Sequence, residues 1–221
     1  MLRASREANL YGDFRTVFGK KVKDFPLTAS KLRKIEYAAK RTTAGAFKIY
    51  DLFLRLEKPL NPGINSDHPI EVRKQLFNLR ELVLFQKICA TNEGAEVLRD
   101  AISVLAGHGV MEEFSALPRI FRDVVVNEQW EGPRNLLLTQ IYRDLHRVAD
   151  WYAPTDFVHT LLTGASQETI EQFSNQLEDL LQRPVLGEVN EASMKAAEEW
   201  DTFCDSFFKA YQEVALAEIE K

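Results

Sequence analysis

Apolar residues recur three and four positions apart along almost the whole chain, the period of helices that bury one face. Residues 2–17 bring Leu2, Leu10, Phe14 and Val17 near one stripe, with Arg and Glu elsewhere. No capping residue precedes this helix, as expected of a chain cut from something longer. Residues 19–26, GKKVKDFP, read as a loop closed by Pro26. A long amphipathic helix follows at about 27–57, with Leu32, Ile35, Ala39, Thr42, Ala46, Ile49, Leu52, Phe53 and Leu56 on its stripe. Pro59, Pro62, Gly63 and the Asn-Ser-Asp run make 58–68 the clearest connector.

The pattern resumes over about 70–91, breaks near Thr91-Asn92, and continues over 93–106. Gly107 and Gly109 end that helix by tolerating positive φ. Residues 110–131 read as mostly irregular, with a short turn at 111–116. Val124-Val125-Val126 has no strand partner elsewhere and reads as an extended buried segment. Pro133 suits the first turn of a helix running to about 151. Further helices are expected at 155–163, at 166–182 starting from Ser166, and at about 191–218 after a Pro184/Gly187 loop. The fold class is all-α, a bundle of long helices with short turns.

Composition narrows the function. The chain has 221 residues, 45% hydrophobic and 28% charged, with a net charge of -5. Acids and bases interleave, so no basic face forms for a nucleic acid. Cys89 and Cys204 stand far apart without a CxxC partner and read as buried small hydrophobes. His68, His108, His146 and His159 share no ligand spacing, so no metal site is expected. With no span-length apolar run and no signal-peptide pattern, a cytoplasmic location is the default.

One segment carries candidate chemistry, 119–135, RIFRDVVVNEQWEGPRN. Glu131 is a lone acid after a tryptophan and before a Gly-Pro helix start. A carboxyl in apolar company gains basicity and suits proton abstraction. An acid before a helix also simply favours the dipole. Both readings stand at this point.

Three ordered blocks resemble the C-terminal helical domain of the acyl-CoA dehydrogenase family. Tyr11-x-x-x-Arg15-x-x-Phe18-Gly19 is similar to its Y-x-x-x-R-x-x-F-G. Ala101 to Gly109 is similar to A-x-Q-x-x-G-G-x-G. Arg119-Ile120-Phe121-Arg122-Asp123 running on to Trp130-Glu131-Gly132 is similar to R-x-Y-R-D…Y-E-G-T. Trp130 and Met111-Glu112-Glu113 resemble the longer, adaptive-response-like branch, whose members carry extra C-terminal helices. The resemblance implies an up-down four-helix bundle over 1–150 and a helical extension over 151–221 packed on it.

The resemblance also implies a chemistry: α,β-dehydrogenation of an acyl-CoA thioester, with a glutamate taking the α-proton and FAD taking the β-hydrogen as hydride. Glu131 falls on the family's base. Arg15 falls on the arginine that meets the FAD pyrophosphate, or is a solvated helix-end residue. Phe18 falls on an aromatic near the adenine, or is core. Gly107 and Gly109 admit a close cofactor approach, or only stop a helix. Arg119 and Arg122 are expected to pair with Asp123 or other acids on neighbouring helices, in a structural rather than catalytic role. Ser103, Ala106, Val110, Pro133 and Pro26 depart from the family pattern, each weakening the FAD side. The family's N-terminal and β domains have no counterpart here, so the segment alone is expected to be inactive. A homo-oligomer, dimer or tetramer, is implied. The other expectation is a flavin-free helical module for self-association or protein docking.

Overall fold

A computed structural model describes residues 1–56 and 68–220. The connector expected at 58–68 therefore lies, as far as residue 67, outside the described residues. The structure is all-α, with eight α-helices among the described residues and one two-residue β-hairpin. In order these are α1 (Leu2–Phe14), β1 (Thr16–Val17), β2 (Lys20–Lys21), α2 (Pro26–Arg55), α3 (Ile70–Leu105), α4 (Leu117–Gln129), α5 (Arg134–Val148), α6 (Pro154–Leu161), α7 (Gln167–Leu181) and α8 (Glu191–Ile219). Short 3-10 turns cover Val22–Asp24 and Ala106–Val110. The chain groups into two compact units, Met1–Thr43 with Ala90–Glu131, and Ala44–Cys89 with Gly132–Lys221.

The first unit packs α1 through small residues. Ala4 and Ala8 are fully buried, and a Cβ on Gly12 would sit 3.3 Å from Leu32 Cδ1. This overturns the expected stripe, because Leu2, Leu10 and Phe14 face outward, Phe14 at 80% exposure. Close helix approach selects small side chains, and periodicity weighted by large ones picks the opposite face. The helix also stops at Phe14. Beyond it Thr16 pairs with Lys21 and Val17 with Lys20 across a Phe18-Gly19 turn, where a loop was expected. Both turn residues have positive φ, 50° and 77°, as a tight hairpin of matching twist requires.

Two further expectations fail along the chain. Residues 70–105 form one helix without a break at Thr91-Asn92. Asn and Thr cost a helix only a few tenths of a kcal/mol each, about 0.7 at most, and buried Ile88, Ala95 and Leu98 stay in phase across them. Residues 117–129 are helical, and the three valines lie on α4 rather than in an extended segment. Val124 packs on the core while Val125 and Val126 face outward. Ser115 sets the start of this helix: its hydroxyl accepts from the Leu117 N–H at 3.1 Å and donates to Glu7 Oε2 at 2.5 Å.

The second unit has an aromatic core. Phe85 stacks on Phe208, and Phe203 stacks on Phe207. Buried aromatic heteroatoms find partners: Trp200 Nε1 donates to the Leu138 carbonyl at 3.1 Å and the Tyr152 hydroxyl to Asn78 Oδ1 at 3.1 Å. Ser166 caps α7 as expected, accepting from the Thr169 N–H at 3.2 Å. Asn190 and Ser193 form a reciprocal capping box at α8. Along α8, Cys204, Phe208 and Tyr211 are buried, while Met194 near its start is half exposed.

Candidate functional site

Where α1 ends, the hairpin begins and α3 gives way to its 3-10 turn, the first unit forms an open cavity of about 460 Å³. Its walls include Tyr11, Arg15, Val104, Ala106, Gly107 and His108. Two residues from separate sequence blocks, Arg15 and Gly107, thus meet at one site. Arg15 follows the last turn of α1, where its N–H donates to the Tyr11 carbonyl at 2.8 Å and its carbonyl accepts from Val22 at 2.9 Å. Its guanidinium is exposed and has no ion-pair partner among the described residues. The nearest acid in sequence, Asp13, is already engaged. Side-chain hydrogen bonds from Lys21 and Lys23 hold its carboxyl down at about 2. Arg15 is left as a free cation at the cavity.

Gly107 offers its backbone openly, with nothing within 4 Å of where a Cβ would stand. Gly109 does the opposite: a Cβ there would meet the Ile102 carbonyl oxygen at 2.3 Å. It is a packing glycine, buried against the last turn of α3. Neither glycine has the positive φ expected of a helix stop. That conformation falls on Ala106, at φ 51°, one residue earlier. His108 also lines this pocket. Its Nδ1 lies 3.0 Å from the Tyr11 hydroxyl, and its ring stacks on Phe114 with centroids 4.4 Å apart.

The other sequence-derived residues lie apart from this cavity. Phe18 is 93% exposed at the hairpin tip, so its reading as core is corrected. Glu131 sits in the turn between α4 and α5 at φ 61°, exposed to solvent. Trp130 beside it is 67% exposed, so the apolar enclosure expected around the carboxylate is not built by these residues. Arg122 pairs with Glu112 at 2.5 Å, an acid in the turn before α4 rather than Asp123 or one on a neighbouring helix. A second groove, of about 590 Å³, runs between α7 and α8, but its Arg183 is engaged by Asp179 and Glu199.

Cys89 and Cys204 are free and buried, and burial pushes both thiols well above their usual range. No cluster of three metal-ligating side chains exists among the described residues, and none of their helices is long and apolar enough to cross a membrane. Sequence reasoning passed over His108 because it looked only for metal spacing. It also missed Arg134, whose partners on α8 no local pattern shows.

Comparisons with known proteins agree with the all-α fold. The profile described as "Acyl-CoA dehydrogenase, C-terminal domain" matches residues 1–146. The putative acyl-CoA dehydrogenase AidB of Escherichia coli (strain K12) is 27% identical over 152 residues, covering 69% of this chain and 25% of that protein. The chain thus spans about a quarter of that curated relative's length. Among solved structures, the apo form of Bd2924 is similar over 100% of this chain and 39% of its own, with a TM-score of 0.76 and 21% identity. The Caenorhabditis elegans protein ACDH-11, solved in complex with C11-CoA, is similar over 97% of this chain and 39% of its own, with a TM-score of 0.65 and 22% identity.

Proposed function

The chain belongs to the acyl-CoA dehydrogenase family as its C-terminal domain, and on that premise we propose that it forms part of an FAD-dependent enzyme that introduces an α,β double bond into an acyl-CoA thioester. Residues 1–150 would be the family's domain and 151–221 a helical extension, with the remaining domains completing the site. Bound FAD supplies the acceptor for the β-hydrogen as hydride.

The chain's own residues would act as follows. Arg15 pairs its free guanidinium with the diphosphate charge, a contact strengthened by its planar fork of donors. Gly107 lets the backbone come close, as the open space over it permits. Phe18 presents an exposed ring to the adenine. Glu131 takes the α-proton. Its carboxylate has no partner among the described residues and is free to accept one. Covering it with apolar surface from the rest of the enzyme would raise its basicity. The exposure of Glu131 here accords with a fragment inactive by itself. A cytoplasmic homo-oligomer, dimeric or tetrameric, is the assembly we propose.

The observation that carries this reading is the meeting of Arg15 and Gly107 at one cavity. Titration of FAD into the full-length protein tests it. Arg15→Met is expected to weaken FAD binding at least tenfold, about 1.4 kcal/mol. Equal affinity would remove Arg15 from the site. A second reading, a flavin-free module for self-association, is favoured by an exposed apolar stripe on α2, Phe47, Tyr50 and Leu54. Failure of the full-length protein to bind FAD would select it.

A further inference from the structure

Arg134 opens α5, three residues after Glu131. A cation at a helix N-terminus opposes the helix dipole, so local preference does not place it there. Its tertiary contacts do. Nε donates to Asp201 Oδ1 at 2.7 Å, and Nη2 reaches Asp201 Oδ1 at 2.5 Å and Asp205 Oδ1 at 2.9 Å. Nη1 donates to the Ile88 carbonyl at 3.3 Å. Burial alone would lower this guanidinium's pKa, but the two carboxylates raise it above its usual value. The start of α5 is therefore fastened to α3 and to one face of α8.

The residues just before Arg134 are fixed to the same frame. The Pro133 carbonyl accepts from the N–H groups of Leu136 and Leu137 at 3.0 and 3.3 Å. Gly132 stands at φ 113°, and a Cβ there would meet Leu137 Cδ2 at 3.2 Å. Its carbonyl lies 3.5 Å from Lys87 Nζ. Glu131, one peptide bond earlier, holds a left-handed backbone at φ 61°, a conformation L-residues rarely adopt. Its side chain is exposed and has no partner among the described residues, so what this turn fixes is the Cα–Cβ bond from which the carboxylate starts.

We propose that Arg134 is a positioning residue for Glu131: by clamping the start of α5 to Asp201, Asp205 and the Ile88 carbonyl, it holds the turn from which the base projects. This makes α8, in the C-terminal extension, a support of the reaction. The proposal rests on the reading of Glu131 as that base.

Two measurements test it. In the flavin-free chain, amide exchange over 130–134 should quicken at least tenfold in Arg134→Gln and in the Asp201→Asn/Asp205→Asn pair, with the interior of α5 unchanged. Arg134→Lys, which keeps the charge and loses the fork, should fall between. Unchanged exchange in the turn overturns the proposal. In the full-length, flavin-loaded protein, Arg134→Gln should lower kcat about tenfold, with KM for acyl-CoA and flavin content unchanged. Loss of flavin and a raised KM instead would mark a purely structural role and overturn it. Full turnover in Glu131→Gln would refute the base assignment, whatever the exchange shows. Turnover lost in Glu131→Gln but unchanged in Arg134→Gln would refute the positioning role alone.

Discussion

The Tyr11 hydroxyl lies 3.0 Å from His108 Nδ1 and so ties α1 to the 3-10 turn that carries Gly107. The bond spans 97 positions of sequence and joins two residues that line the cavity. Removing a hydroxyl from such a pair costs about 1 kcal/mol and leaves the ring nitrogen without its partner. Tyr11→Phe is expected to lower unfolding free energy by that amount in a denaturant titration. An unchanged midpoint would show that the bond contributes nothing in solution.

Neighbouring small residues in this turn answer differently to the same chemical change. A methyl group added at Gly109 would press on the Ile102 carbonyl, whereas one at Gly107 meets open space. Gly109→Ala is expected to destabilise by about 1–3 kcal/mol, the range for overpacking. Gly107→Ala should fold normally, with less than about 1 kcal/mol lost. Ala106, at φ 51°, carries strain that glycine would relieve. Ala106→Gly should be neutral to about 1 kcal/mol stabilising, relief of strain outweighing the entropy of the unfolded chain. Thermal melts of the three variants check the order.

Glu81 on α3 is fully buried, and neither of its carboxyl oxygens has a hydrogen-bond partner. The nearby Asp144 has taken the cations, Arg80 at 2.7 Å and Arg147 at 3.1 Å, together with a hydrogen bond from Gln140. Burial first, then the negative charge of Asp144, holds the Glu81 carboxyl well above its usual range, against the pull of Arg80 and Arg147. The folded state therefore keeps a proton that the unfolded chain releases above about pH 4.3. Its contribution to stability is complete below that pH and is lost as pH rises through the raised folded value. Glu81→Gln holds the neutral form at every pH. Melting temperature from pH 5 to 9 should fall more steeply for the native chain than for this variant. Parallel curves would mean that Glu81 is ionised or solvated in the fold.

Much of this was legible in the sequence, and the failures share causes. Ser166, Pro133 and the apolar stripe of α2 announce their elements because capping and one-sided burial are local or periodic. Ala4, Ala8 and Gly12 mislead because close packing selects smallness, which a search for large apolar residues discards. Thr91-Asn92 and the three valines mislead because propensity is a weak prior that tertiary packing overrides. Arg15, Gly107 and Glu131 could be named from motifs. That Arg15 and Gly107 share a cavity, that Gly109 is a packing residue, and that Glu131 stands uncovered depend on contacts distant in sequence. Arg134 with Asp201 and Glu81 with Asp144 leave no trace in spacing.

The central claim is that Glu131 serves as the base of an acyl-CoA dehydrogenase. Anaerobic mixing of the full-length, FAD-loaded protein with acyl-CoA tests it most directly, by following the flavin absorbance. Bleaching of the native protein and none in Glu131→Gln is the predicted result. Equal bleaching in both would place the base elsewhere and contradict the account.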